Sequence, residues 1–478
     1  MNLKKLIRDL PIEIYKGNRN IEIGDLSFDS RKVKPGDLFI AQKGVKGDGA
    51  NFIQEAVQIG AVAILTKYPD PFLEGATQLI TSDVKEIARI LAFRFYHDPS
   101  KHLFTIGITG TNGKTTINYL VAHLFQEIGI KTGLLGTVEY SIGDSCFDAE
   151  LTTPELLTTL KYMAMMVKAR CLAATMEVSS IGLDLGRTQG IDFDVGVFTN
   201  LTQDHLDYHK TMTAYATAKE KLFASLKPSA WAVICKDSPY APQMIKATEA
   251  SVLTYGLDPE ADLYADVIRL TSTHSEFSVC HNHETVPCTL PLLGRFNVNN
   301  SLAAIGVLLT KGYALSQIVP LLAAFKGVPG RLERVGGNVI VDHAHTPDAL
   351  QTVLKTLKEL DHEKLFLVFG CGGDRDRTKR WQMGLIGEKF ADHVILTSDN
   401  PRSEDPFKIC QEIAAKMHDP IIEIDRYKAI EKAIESSSPK DLILIAGKGH
   451  ESYQVFSHQT VPFDDREIAA KIMEKHSC

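Results

Sequence analysis

At 478 residues the chain is long enough for about three domains of ordinary size. Apolar residues make up 44% and charged residues 23%, a globular balance, and the net charge of −7 argues against a nucleic-acid partner, which needs a basic face. The eight cysteines form no Cys-x-x-Cys pair, which points to a reduced, cytoplasmic setting, and with no signal-peptide core and no apolar run of spanning length no membrane insertion is expected.

Residues 1–98 read as a small N-terminal α/β domain. Pro35-Gly36 signals a turn, 38–41 and 61–66 are apolar β-prone runs, and 52–59 and 84–97 have helical patterning. A glycine-rich loop occupies 44–50. Asp29, Ser30 and Lys46 suit either a polar ligand or plain turn chemistry, and pattern leaves both open. Pro99 follows the helix and marks the first boundary.

The central segment, 99–330, opens on the stretch that organises the chain: an apolar run at 103–108, then Thr109-Gly110-Thr111-Asn112-Gly113-Lys114-Thr115-Thr116, then helical spacing over 117–128. Strand, glycine loop and helix in that order predict a phosphate loop. Gly110 and Gly113 let the backbone turn its N–H groups to an anion, and the helix adds its positive end. Lys114 supplies a charge for the β/γ-phosphates, and Thr115 or Thr116 a hydroxyl for Mg²⁺. The loop is a variant, because its glycines stand at 107 and 110 where the usual spacing wants one at 108.

Further along, 171–180 reads as a buried strand ending in Glu177, Ser179 and Ser180. A carboxylate at that end of a parallel strand, beside a triphosphate, suits Mg²⁺. The strand at 194–200 delivers Asp204, His205, Asp207 and His209, a metal-site candidate or a solvated loop. On the helix 212–223, Lys219, Glu220 and Lys221 read from pattern alone as exposed charges. Gly294 opens an Ala- and Leu-rich helix, where Asn297 and Asn300 fit capping and base recognition equally. Residues 331–478 alternate strand and helix as a C-terminal Rossmann-like domain, with polar clusters at 342–345, 370–375, 398–402 and 447–451. Loops after strands of one parallel sheet gather on one edge, so these four predict a binding site. The expected fold class is α/β in three domains: the small N-terminal one, a central P-loop ATPase-like parallel-sheet domain, and the Rossmann-like one.

Together these motifs resemble the Mur ligases, ATP-dependent amide-forming enzymes of bacterial cell-wall synthesis. The resemblance spans nearly the whole chain and rests on 110–116, 176–180, 200–209, 294–300, Gly330-Arg331 and 342–347. It implies that Gly110, Thr111, Asn112, Gly113, Lys114, Thr115 and Thr116 hold ATP, and that Asn297, Asn300, Arg331 and Asp342 contact the nucleotide. Glu177, His205 and Thr115 would serve Mg²⁺, with Lys219 matching the lysine that is carbamylated in this family and so becomes an oxygen ligand. Lys114, Glu177, His205 and Lys219 are thus the implied catalytic set. Phe28, Ser30, Val45, Lys46 and Gly47 would hold a uridine diphosphate end, and Thr152, Thr153, Ser179 and Arg187 the muramoyl-dipeptide. Arg375, Asp399, Asn400, Pro401, Arg402, Gly447 and Glu451 would hold the amino acid, and Asp399-Asn-Pro-Arg402 resembles the signature of members that add meso-diaminopimelate. The sequence departs from the family at Ile181 and Leu185, where His and Gln are common.

The implied partners are therefore UDP-N-acetylmuramoyl-dipeptide and meso-diaminopimelate, taken by a monomer, with ATP and Mg²⁺. The expected reaction phosphorylates a carboxylate, and the incoming amine then displaces phosphate. Rival readings are a lysine-adding Mur ligase, a folylpolyglutamate synthetase, and a switch that binds ATP without making a bond.

Overall fold

The structure, a computed structural model, describes residues 1–43, 47–143 and 145–476. Among these the strands form sheets of five, eleven and six strands in three successive segments of the chain, plus a two-stranded hairpin. The first sheet runs Glu13–Lys16, Thr77–Ile80, Ala63–Thr66, Leu38–Ile40 and Leu26–Ser27 across its width, parallel except for Glu13–Lys16. Leu38, Phe39 and Ile40 are all buried, as a strand covered on both faces requires.

In the eleven-stranded sheet, Phe104–Thr109 lies between Ala173–Glu177 and Val195–Phe198, parallel to both. Parallel pairing continues to Thr132–Leu135 on one side and through Trp231–Cys235 and Ser251–Gly256 on the other. Antiparallel strands close both edges, among them Glu139–Ile142 and Glu284–Leu290. The helix after the central strand is Lys114–Glu127, three residues longer at its start than the spacing of apolar residues predicts. Gly113, at φ +88°, makes the turn into it, so Lys114, Thr115 and Thr116 already belong to its first turn. Gly107 explains the variant spacing of the loop: it serves packing, since a Cβ there would stand 2.8 Å from the Phe193 ring.

The six-stranded sheet has Glu333–Gly336 antiparallel at one edge, then Val339–Asp342, Leu442–Ala446, Leu365–Phe369, His393–Leu396 and Ile421–Ile422, all parallel. The last of these in chain order, Leu442–Ala446, is inserted between the first two. Ala446 pairs with both Asp342 and Phe369, so the loops beginning at 343, 370 and 447 emerge side by side at a switch in strand order. Beneath them Arg426 and Asp465 form a fully buried pair at 2.7 Å. Arg426 also donates to the carbonyls of Ser398 (3.2 Å) and Ala446 (3.1 Å), tying two of the site loops to one anchor. Among the described residues no single helix is long and apolar enough to cross a membrane.

Candidate active site

The phosphate loop is held from below by the strand end beside it. Thr199 Oγ1 donates to Asn112 O (2.6 Å), Asn112 N donates to Asn200 Oδ1 (2.9 Å), and Thr111 N to Asn200 O (2.9 Å). A Cβ on Gly110 would lie 1.7 Å from Thr199 Oγ1, and one on Gly113 2.4 Å from Asn300 Oδ1, so both positions exclude a side chain. Asn300 donates to Asn297 Oδ1 (3.0 Å), and Asn297 to Leu293 O (2.9 Å). Asn300 stands against Gly113 of the loop and Asn297 supports it from behind, and neither caps their helix, whose cap position is Gly294.

Two lysines meet at one carbonyl of this loop. Lys114 Nζ donates to Gly110 O (3.0 Å) and Thr111 O (2.8 Å), and Lys219 Nζ donates to Gly110 O at 2.7 Å. Lys219 is 1% exposed, which corrects the pattern-based reading of an exposed helix charge. Helical spacing alone could not reveal this, because the face that Lys219 occupies is covered by the phosphate loop, a segment distant in sequence. Burial, and then the neighbouring Lys114 ammonium, push its amine well below the ordinary lysine range. Lys221, on the same helix, does reach solvent and pairs with Asp184.

Glu177 is buried at the strand end, fixed by Thr137 N to Oε1 (2.8 Å) and by the Thr137 and Thr115 hydroxyls to Oε2 (3.0 and 3.1 Å). Arg331 Nη2 donates to the same Thr115 hydroxyl (3.2 Å), and Arg331 Nε is buried with no partner among the described residues. Asp342 accepts from Leu332 N (2.7 Å), and its burial raises the carboxyl above the usual range. These groups line a cavity of about 480 Å³, together with Thr116, Thr152, Ser179, His205, Asn297 and Asn300.

A second cavity, about 490 Å³, adjoins it and shares Asp204, His205, His343, His345 and Asp348. Arg375, Asp399, Asn400, Arg402, Gly447 and Glu451 line it, so the four polar loops do gather on one edge. Arg402 donates Nη1 to Gly373 O (2.7 Å). Pro401 sits behind the wall with its carbonyl against Gly373. A third pocket, about 220 Å³, is lined by Phe28, Gln42, Arg89, Leu185 and Arg187. Arg187 reaches Thr153 O (3.1 Å) and pairs with Glu155 (2.7 Å), while Thr153 Oγ1 donates to Glu177 O (2.9 Å) and lies 3.0 Å from Ser179 Oγ. Ser30 is buried and donates to Glu55 (2.7 Å) rather than facing that pocket, and Gly47 has no neighbour within 4 Å of a Cβ position. Val45 and Lys46 lie outside the described residues.

The Asp-His run at 204–209 does not converge on a metal. His209 turns inward, 2.9 Å from Ser180 Oγ and stacked on Tyr215, because the short helix Leu206–His209 divides the run between two faces. Of the four, Asp204, His205 and Asp207 line the second cavity, and Asp204 and His205 also line the first. Among the described residues no group of three His, Cys, Asp or Glu side chains is placed to hold a metal. Mg²⁺ needs fewer, since it commonly keeps waters and phosphate oxygens and takes one or two carboxylates. Thr115 and Glu177 meet that requirement beside the loop. Sequence reasoning missed Thr137 and Asp348. Asp348, on the first turn of Pro347–Lys358, reads as a dipole-favoured helix acid, but its carboxylate accepts from Asn112 Nδ2 (2.9 Å) and Thr202 Oγ1 (3.0 Å), joining that helix to the phosphate loop and to the loop after Val195–Phe198.

With this geometry in hand, comparison with known proteins is decisive. The Mur ligase middle domain matches residues 108–308, the Mur ligase glutamate ligase domain 330–449, and the Mur ligase family catalytic domain 22–102. The chain belongs to the Mur ligase family. It is an ATP-dependent, amide-forming ligase. UDP-N-acetylmuramoyl-L-alanyl-D-glutamate–2,6-diaminopimelate ligase of Chlamydia felis is 43% identical across 100% of both chains. The protein of that name from Bacillus cereus is 43% identical over 98% of this chain and 96% of its own. A solved structure bearing the same name superposes with a TM-score of 0.69 at 34% identity, covering 100% of this chain and 99% of that one. A crystal structure of MurF from Acinetobacter baumannii, 19% identical over 99% and 98% of the two chains, shares the fold with a TM-score of 0.71.

In this Mur ligase, Asp348→Ala removes one hydrogen bond from Asn112 of the phosphate loop and one from the neighbouring Thr202. Each is worth roughly 1.5–3 kcal/mol when the acceptor is charged, so kcat/KM should fall at least about tenfold. Steady-state kinetics and a melting curve check this: a large loss of rate with little change in Tm is expected, and an unchanged rate contradicts the bridge.

Proposed function

We propose that the chain joins meso-diaminopimelate to the D-glutamate of UDP-N-acetylmuramoyl-L-alanyl-D-glutamate, converting ATP to ADP and phosphate. The observation that carries this is the second cavity, where Arg402, Arg375, Asp399, Asn400 and Glu451 line one wall directly beside the nucleotide cavity. The names of the relatives support the same substrates. Residues 1–98 take the uridine diphosphate end, 99–330 the nucleotide, and 331–478 the amino acid. ATP and a nucleotide-linked substrate fit a cytoplasmic setting.

A carboxylate is a poor electrophile. Transfer of the γ-phosphoryl group to it gives an acyl phosphate and ADP, after which the amine attacks the carbonyl carbon, phosphate leaves, and the amine's proton is released. Lys114, the loop amides and Arg331 oppose phosphate charge and align the reacting groups. Mg²⁺ supplies further neutralisation of the phosphates when bound, and Thr115, Glu177, His205 and a carbamylated Lys219 are the residues that would hold it. As an ammonium, Lys219 can only donate, as it does to Gly110 O. As a neutral buried amine its nitrogen can bond the carbon of CO₂ and release one N–H proton, leaving an anionic carbamate whose oxygens would ligate a cation. Lys219→Ala should therefore lose most activity and recover part of it in added acetate, whereas full activity without rescue leaves the lysine a structural donor.

Diaminopimelate differs from lysine by a carboxylate at its far end, whose desolvation is costly unless it is paired. Arg402 can pair it in two-pronged fashion. With a panel of amino acids, phosphate release should require both the UDP-dipeptide and diaminopimelate. Arg402→Ala should then lower kcat/KM for diaminopimelate at least about tenfold while lysine changes little. Equal losses for both amino acids, or release without the amino acid, contradict the assignment.

A further inference from the structure

Lys448 is fully buried (0% exposed) in the loop after Leu442–Ala446, and the reaction as described does not use it. Its Nζ lies 3.2 Å from Glu451 Oε2 and 3.3 Å from Asn400 Oδ1, with the Tyr453 ring centre at 5.6 Å. Asn400 Nδ2 donates to the same Glu451 oxygen at 2.8 Å, while Asn400 Oδ1 also accepts from Val455 N at 2.9 Å. Glu451 and Asn400 line the amino-acid cavity, and Lys448 stands behind them. One oxygen of Glu451 is thus held by two donors from within the protein, which fixes the orientation of the other. An ammonium withdrawn from water is costly unless it is paired, and an apolar side chain of equal length would fill the same space more cheaply. The charge itself therefore calls for a role.

Carboxylates outnumber cations around this cavity. Such a wall attracts a bare ammonium and repels a terminus that carries a carboxylate as well. A cation placed behind Glu451 offsets part of that field at the point where the far end of the amino acid would lie.

We propose that Lys448 is a positioning residue that pins Glu451 and offsets its charge, so that the cavity selects an amino-acid terminus bearing ammonium and carboxylate together over one bearing ammonium alone. The inference rests on the reading of this cavity as the amino-acid site and adds to it a residue outside the wall that sets selectivity.

The test is steady-state kinetics of the full chain with meso-diaminopimelate and with L-lysine, comparing the unsubstituted protein with Lys448→Met. Loss of the buried cation should lower kcat/KM for diaminopimelate at least about tenfold, change lysine less than about threefold, and leave the KM for ATP within about twofold. Because Lys448 acts through Glu451, Lys448→Met combined with Glu451→Gln should cost less than the two separate losses added together. Equal falls for both amino acids, or additive losses, make Lys448 a structural residue and overturn the proposal while leaving the reaction intact. If the unsubstituted chain turns over neither amino acid, the reading of the reaction falls, and this inference with it. Should Lys448→Met fail to fold, Lys448→Gln, which keeps a donor without the charge, carries the same comparison and the same outcomes.

Discussion

The carbonyl of Gly110 receives hydrogen bonds from two lysines, Lys114 at 3.0 Å and Lys219 at 2.7 Å. Two ammonium groups held this close repel each other, and one of them is cut off from water. Burial and the Lys114 ammonium together push the Lys219 amine well below the ordinary lysine range, and burial lowers Lys114 as well. That arrangement exists only because Phe104–Thr109, Val195–Phe198 and the helix Met212–Ala224 bring three distant segments to one loop. Gly110 has to lie against Thr199 for the carbonyl to face both amines, which is why no side chain fits there.

From this point the site spreads outward through shared residues. Glu177 is fixed by Thr115 and Thr137, and its own backbone carbonyl accepts from Thr153, which also meets Arg187 of the third pocket. On the other side Asp348, His343 and His345 belong to both large cavities. The cavity at the phosphate loop therefore adjoins the one whose wall holds Glu451 and Arg402. Asp348 and Arg331 connect the third segment to the phosphate loop.

The phosphate loop, the three sheets and the convergence of four polar loops were legible in the sequence because each depends on local signals: glycine where backbone must turn, apolar runs where strands are buried, polar residues after parallel strands. What depended on distant contact was not legible. Lys219 looks like its neighbour Lys221 in any helical projection, yet one is buried and the other is solvated. Gly107 stood out only as a departure from the usual phosphate-loop spacing and proved to make room for Phe193. His209 shares a polar run with His205 but turns inward to Ser180, a partner 29 residues away. Asp348 resembled an ordinary first-turn acid, and only the docking of one sheet on another reveals its partners.

The proposed reaction requires that the joining carboxylate be phosphorylated before the amine attacks. Placing ¹⁸O in the D-glutamate carboxylate that is joined and following it by mass spectrometry tests this directly. The account predicts that, for each bond formed, one carboxylate oxygen leaves with inorganic phosphate, and half of the label with it. Released phosphate that carries no label, while the amide product forms at the normal rate, would contradict it.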